Sequence, residues 1–196
     1  MTDQPSPIEK HPWEPFIPVD AKILIMGTFP PKPVRWSMDF YYPNKINDFW
    51  RIMGLIFHRS RDYFINSATG QFMLPAIKET LTDKGIALND TGAEVRRLKD
   101  NASDKFLEIV SPVDLKELLA KMPHCHAIAT TGEKAAGVVA SLTGTPVPKM
   151  GECIPCDYDG RRLNIYRMPS TSRAYPMALD KKAAFYSTMF QAEGIV

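Results

Sequence analysis

Cysteine is scarce in this sequence, and an excess of charge of either sign is scarcer still. Three cysteines, Cys125, Cys153 and Cys156, stand among 196 residues. So low and odd a count fits a reducing compartment and supplies no disulfide framework. The 24 basic and 22 acidic residues leave a net charge of +2. No field of the whole molecule therefore dictates a nucleic-acid partner, and any such field has to be local. No run of about 18 apolar residues occurs, which excludes a transmembrane helix. The opening MTDQPSPIEKHPWEP has no basic stretch followed by an apolar one, so no secretory signal is expected and the cytoplasm is the expected location. Internal repeats are absent. So are G-x-G-x-x-G and G-K-[ST], which removes the dinucleotide fingerprint and the Walker A loop.

What remains is an ordinary globular composition, 44% hydrophobic and 23% charged, long enough to bury a sizeable core. Eight of the 17 prolines fall in the first 33 residues. The expected organisation is a Pro-rich, partly disordered strap over 1–20 and a single domain over 21–196. Within the strap, 1–10 is expected to be disordered. Residues 11–20 run extended, with Trp13, Phe16 and Ile17 packing on the body. AKILIMG (21–27) is a short apolar run ended by glycine, the mark of a buried strand. Ile46, Phe49, Trp50, Met53, Ile56 and Phe57 recur at helical spacing and predict a helix over 46–57. A second helix is expected over about 72–84, stopped by Gly85. GIALND (85–90) is a strand, and 91–106 is polar and irregular. A helix over 113–122, a strand over 125–132, a helix over 133–142, a hairpin over 153–168 and a helix over 178–191 complete the chain.

Alternating strands and helices imply an α/β fold, a three-layer αβα sandwich around a short, mainly parallel sheet of about four strands. Such sheets bind ligands at the carboxyl ends of their strands. Four loops leave those ends: GTFPPKP, LNDTGAE, TTGEKA and MPSTSRAY. In the first, Gly27 allows close backbone approach. That loop runs on to Tyr41 and Tyr42, either an aromatic wall for a flat ring or two core residues. Asn44 or Asn47 is placed to cap the following helix. Asp90 ends its strand, as a water-activating carboxylate or as the cap of the next turn. Pro169, Ser170, Thr171, Ser172 and Arg173 offer three hydroxyls and a charge, suited to gripping phosphate or to capping a helix. No histidine lies in the four loops, so general-acid catalysis by an imidazole is not expected.

Cys153 and Cys156 form C-x-x-C, with His124 and His126 flanking Cys125. These residue types bind zinc. But Asp159-Gly160 is a hairpin turn signal and RLNIYRM reads as the returning strand. The cysteines are thus expected in a hairpin arm, with no metal site.

The segments ILIMGTFPP, YYPNKINDFW, GIALND, TTGEKA and RMPSTSRAY together resemble the uracil-DNA glycosylase superfamily in order and spacing. They are most similar to the branch that excises hypoxanthine and uracil. The resemblance covers about 21–190. It implies a parallel sheet between helices, no cofactor, and roles for particular residues. Gly27, Thr28 and Phe29 would form the first base-binding loop, and Tyr42 would stack on the flipped base. Asn47 would be catalytic. Thr131 stands where many relatives read the base edge with asparagine. Pro169, Ser170, Thr171 and Ser172 would compress the DNA backbone, with Arg173 near the vacated base. The chain departs from the pattern at Pro31, where a glycine is usual, and at Phe29, where some branches keep an ionisable or amide residue. Thr131 and Met168 replace an asparagine and a histidine.

The resemblance implies a monofunctional DNA glycosylase, a hydrolase of base excision repair. It would act as a monomer on a deaminated base, uracil or hypoxanthine, in single- or double-stranded DNA. Asn47 and Asp90 are its catalytic candidates. Pro31 and Thr131 favour the alternative, a catalytically weak or inactive nucleic-acid-binding protein on the same scaffold. A hydrolase of small nucleosides would not need the grip of Ser170–Arg173.

Overall fold

The computed structural model describes residues 6–98 and 104–196. Eight strands and five α-helices occur among them: β1 (Ile8–Lys10), β2 (Ile23–Gly27), α1 (Phe49–His58), α2 (Leu74–Lys84), β3 (Ile86–Asp90), β4 (Gly92–Arg97), β5 (Leu107–Pro112), α3 (Leu115–Ala120), β6 (Ala127–Thr131), α4 (Glu133–Thr143), β7 (Cys153–Tyr158), β8 (Arg161–Met168) and α5 (Leu179–Ala192). The central sheet has the order β3-β2-β6-β8-β7. β2 pairs in parallel with β3 and β6, and β6 with β8. β7 adds an antiparallel edge, so the sheet has five strands where about four are predicted.

The strand interiors are apolar on both faces because helices cover both. Ile23 and Ile25 of β2 pack with α1, α2 and α5. Leu24 and Met26, on the opposite face, pack with α3 and α4. This is the αβα sandwich expected of the sequence. The turn between β7 and β8 has φ of 49° at Asp159 and 73° at Gly160, the paired positive values of a type I′ hairpin turn. Cys153 faces the α1–α5 layer and Cys156 the α3–α4 layer. Residues three apart on a strand point to opposite sides, so these two thiols cannot chelate one ion together.

Two expectations fail. The stretch 91–106 is not irregular: β4 and β5 lie in or beside it, and β1 joins them in a second, antiparallel sheet of order β1-β4-β5. Residues 99–103 of that stretch lie outside the described residues. The strands carry little apolar alternation because ion pairs across them do part of the pairing. Lys10 meets Glu94 at 3.7 Å, Arg96 meets Glu108 at 2.8 Å and Arg97 meets Glu9 at 2.9 Å. The disorder expected over 1–10 gives way at Ile8–Lys10 to strand β1, and residues 1–5 lie outside the described residues. Downstream of β1, Phe16 forms an antiparallel bridge with Leu88 of β3. Among the described residues no helix is long and apolar enough to cross a membrane.

Helices α2 and α4 both end on a left-handed glycine. Gly85 has φ of +66°, and a Cβ there would stand 2.5 Å from the Asp20 carbonyl oxygen. Gly144 has φ of +70° and nothing within 4 Å. Gly144→Ala is therefore expected to cost only the conformational strain, about 1 kcal/mol. Gly85→Ala, which adds the clash, should cost about 3 kcal/mol. Urea unfolding of the two variants measures the difference; equal losses would contradict the close approach at Gly85.

Candidate functional site

The carboxyl ends of the parallel strands form one row. Gly27 of β2 is in register with Asp90 of β3, and Thr131 of β6 with Met168 of β8. Met26 pairs with Thr130, which carries Thr131 beside Gly27. By strand alternation Gly27, Asp90 and Thr131 share the face covered by α1. Glycine is required in the middle of the row. A Cβ on Gly27 would lie 2.6 Å from Asp90 Oδ1 and 3.3 Å from the Tyr42 hydroxyl.

A cavity of about 580 Å³ opens above the row. Gly27, Thr28, Phe29, Tyr42 and Thr131 line it, as do Asn47 and Asp90. Ser170 to Arg173 form another wall. Pro169 alone of the nominated residues does not line it; its carbonyl accepts a hydrogen bond from the buried Tyr186 hydroxyl at 3.0 Å. Pro31, the departure in the first loop, also faces the cavity.

Tyr42 holds a left-handed backbone, φ 51°, immediately before Pro43. Such a conformation costs a non-glycine residue about 1–3 kcal/mol and persists only where the surroundings fix it. Here the ring stacks on Phe49 at 3.8 Å between centroids and 16° between planes. The hydroxyl lies 3.1 Å from Thr131 Oγ1. One face of the ring is thus covered by Phe49. Tyr41 is the core residue of the pair: it is buried, and its hydroxyl donates to Asn89 Oδ1 at 2.9 Å.

Asn47 Oδ1 accepts the Phe49 N–H at 2.9 Å. The asparagine therefore holds the first turn of α1 from the residue before its cap, and its amide N–H groups donate to no partner among the described residues. Capping and a face on the cavity are compatible here.

Arg173 is not a bare cation. It reaches Asp48 Oδ1 at 3.3 Å, with its side chain half exposed. Asp48 Oδ2 accepts from Lys182 Nζ at 2.9 Å, and Lys182 is fully buried. Lys182 also donates to the Ser172 carbonyl at 2.8 Å, while the Asp48 N–H donates to the Thr171 carbonyl at 2.8 Å. The carboxylate sits at the positive end of α1 and ties α1, α5 and the 169–173 loop together. Sequence reasoning missed both residues. The signal was present for Lys182: it falls four residues before Tyr186 and eight before Phe190, on the apolar stripe of α5. Arg51 stands nearby. Burial, then the neighbouring Arg173 guanidinium, pull its pKa below the usual arginine value. Arg51 pairs with Asp62 at 3.7 Å, and exposed Arg35 stands on the cavity wall.

The largest omission is His11. Its Nε2 lies 2.9 Å from Asp90 Oδ2, both side chains nearly buried, and its Nδ1 lies 2.9 Å from the Trp13 carbonyl oxygen. An imidazole does reach the site after all, from the strap and not from the four loops. Burial pushes His11 down most strongly. The hydrogen bond and charge of Asp90, the Trp13 carbonyl and Glu14 together outweigh burial, and its pKa ends above the ordinary 6.5. Asp90 is thus partnered by a histidine, not by the backbone of the next turn. Its Oδ1 accepts no hydrogen bond among the described residues. Phe29 packs edge-on against His11 at 5.4 Å and lies under the Arg97 guanidinium at 5.7 Å. Arg97 also donates to the Pro30 carbonyl at 2.8 Å, so the second sheet braces the first loop from behind.

The Asp48 network gives a clear ranking. Lys182→Met would leave a buried carboxylate with one half-exposed partner, and should cost about 3 kcal/mol of stability. Arg173→Ala should cost under about 1 kcal/mol. Denaturant midpoints of the two variants test this; a Lys182→Met variant as stable as Arg173→Ala would contradict it.

No family model matches the chain, and no curated protein matches it. Among solved structures it is similar to a solution NMR structure from Methanosarcina acetivorans described as "a putative Uracil DNA glycosylase". The two superpose with a TM-score of 0.61 at 19% sequence identity, over 95% of this chain and 99% of that one. At that identity the likeness is one of fold.

Proposed function

We propose that the protein is a monofunctional DNA glycosylase. It hydrolyses the N-glycosidic bond of a deaminated base, uracil or hypoxanthine, flipped out of DNA, as the first step of base excision repair. The observation that carries the reading is the cavity at the strand ends, where the Asp90 carboxylate, the Asn47 amide and the strained Tyr42 converge beside the Ser170–Arg173 wall. The fold likeness described above agrees with it. A cavity of about 580 Å³ is in the range of small-molecule sites and suits one extruded nucleoside.

Breaking the bond builds positive charge on the sugar and negative charge on the leaving base. The base would stack on the face of Tyr42 opposite Phe49. The carbonyls of Gly27 and Thr28 accept from the Thr91 and Gly92 N–H groups at 2.9 and 3.0 Å. Planar trans peptides therefore turn the N–H groups of Thr28 and Phe29 the other way, as donors for a base oxygen that becomes negative. Deamination replaces an amino donor by a carbonyl acceptor, so N–H and hydroxyl donors favour the deaminated base over its parent. Asn47 would position the water or base through its amide N–H groups. Asp90 Oδ1 would hold the attacking water and offset the charge on the sugar. Ser170–Thr171–Ser172, with Arg173 kept in place by Asp48, would grip the flanking phosphates.

A second reading has its own support: Asn47 spends its oxygen on α1 and Arg173 pairs with Asp48, an arrangement that also suits a protein that binds DNA without cleaving it. One assay separates the two. Oligonucleotides carrying uracil, hypoxanthine, xanthine or mismatched thymine are incubated with the protein and treated with alkali. Strand breaks requiring both lesion and protein are expected for uracil or hypoxanthine. Binding with no break at any lesion would replace the enzyme by the binder. In the same assay Asn47→Ala should lower the single-turnover rate by about a hundredfold while losing only about 1 kcal/mol of stability. Asn47→Asp, which keeps the capping oxygen, should melt as the wild type does and still cleave slowly. Normal cleavage by both variants would remove Asn47 from the chemistry.

A further inference from the structure

We infer that His11 is a positioning residue that sets the charge of Asp90, so that the strap governs how strongly the carboxylate drives hydrolysis. The inference rests on the glycosylase reading. Its physical basis is the geometry around one imidazole.

The strap is pinned where it carries His11. The His11 N–H donates to the Ala93 carbonyl of β4 at 2.9 Å. The ring then sits in an aromatic box: Tyr41 stacked at 5.7 Å, Phe29 edge-on at 5.4 Å, Trp13 edge-on at 5.9 Å. Nε2 meets Asp90 Oδ2. Asp90 Oδ1 is left at the cavity floor beside Gly27. The two carboxylate oxygens are therefore divided, one toward the strap and one toward the substrate space.

The Nδ1 side of the ring meets both polar groups of one residue. It lies 2.9 Å from the Trp13 carbonyl oxygen and 3.3 Å from the Trp13 backbone nitrogen. Protonated, Nδ1 donates to the carbonyl. Neutral, it accepts from the N–H, while Nε2–H continues to donate to Asp90. In the neutral state the Nδ1 lone pair also faces the Trp13 carbonyl oxygen at 2.9 Å, which favours keeping the proton. Deprotonation gives up the bond to that carbonyl and removes the charge: the imidazolium neutralises the carboxylate, the imidazole leaves its charge standing. The ionisable groups that face the ring are few. Asp90 approaches from β3, Glu14 from the strap itself, Tyr41 from the segment before α1, and Arg97 from β4 across the Phe29 ring. Tyr41 stays neutral, its pKa pushed up by burial. Asp90 is the direct partner, and its effect raises the His11 pKa. The exchange of charge therefore falls above the ordinary histidine value.

The consequence for the reaction follows from the bonds. Water attacks C1′; a C1′–O bond forms as the C1′–N bond breaks, and the base leaves with the electron pair. The proton lost by the water passes to Asp90 Oδ1 and from there to solvent, which also supplies the proton that neutralises the base. An Asp90 relieved of its imidazolium neighbour both accepts that proton more readily and stabilises the cationic sugar better. Hydrolysis should thus accelerate as His11 loses its proton.

The test is the pH dependence of single-turnover cleavage of duplex DNA containing uracil or hypoxanthine, for the wild type and two variants. His11→Gln keeps an N–H donor for Asp90 and cannot titrate. His11→Phe fills the aromatic box and donates nothing. The wild-type rate should rise about tenfold from about pH 5.5 to about pH 8.5. His11→Gln should lose that rise, varying less than about twofold over the same span. His11→Phe should cleave at least about tenfold more slowly than the wild type at the upper end of that span. A rise that persists unchanged in His11→Gln overturns the inference, and so does a folded His11→Phe variant with the wild-type rate. A wild type that cleaves neither lesion overturns the glycosylase reading itself. In that event the His11 imidazole, followed by NMR in wild type and Asp90→Asn, should still titrate lower in the variant; equal titration would show that the pair is not coupled at all.

Discussion

Asp90 Oδ1 and the α-carbon of Gly27 approach so closely that no side chain fits between them, and the site is arranged around that contact. A Cβ would stand 2.6 Å from the carboxylate oxygen. The parallel register of β2 and β3 creates the approach by setting Gly27 directly opposite Asp90. The missing side chain lets the carboxylate lie flat at the cavity floor, with one oxygen turned to the strap and the other to the cavity. The Tyr42 hydroxyl fills the remaining space on the same side, 3.1 Å from Thr131. The strained Tyr42 backbone is thus the result of a ring held at both ends, by Phe49 across its face and by Thr131 at its tip.

Two independent supports hold the walls. On the first-loop side, the small sheet β1-β4-β5 supplies Arg97 to the Pro30 carbonyl and carries the strap that delivers His11. On the other side, Asp48 and Lys182 fasten the 169–173 loop to α1 and α5. A buried lysine and carboxylate are costly to desolvate, and a well-packed apolar pair would often be as stable. Their retention here makes physical sense as a means of fixing a loop: each charge makes a second contact, to a backbone carbonyl or to Arg173. The cost of reorganising the site on binding is correspondingly small, since both walls are set before a ligand arrives.

The parts of this arrangement that were legible in the sequence are those written in local pattern. The apolar runs ILIMG and AIATT mark buried parallel strands, and the rule that ligands gather at their carboxyl ends leads to Gly27, Asp90, Thr131 and Ser170. The Asp159-Gly160 turn and the Gly85 stop are equally local. β4 and β5 were illegible because Glu94, Arg96 and Arg97 pair through charge across the strands, where an apolar alternation would have announced them. His11 was illegible for a different reason. It meets Asp90 across 79 positions of sequence, and its environment of Trp13, Phe29 and Tyr41 exists only once the strap has docked. Arg173 lines the cavity from a loop written in local pattern, but its pairing with Asp48 depends on α1 and the last loop meeting in space.

The claim at the centre of this account is that the Asp90 carboxylate, and not merely a polar group in its place, drives the chemistry. The direct measurement is the single-turnover excision rate of Asp90→Asn on uracil- or hypoxanthine-containing duplex, beside its DNA affinity and melting curve. The account predicts a loss of about a hundredfold or more in rate, with affinity and melting close to those of the wild type. An Asp90→Asn protein that excises the base at the wild-type rate would contradict it.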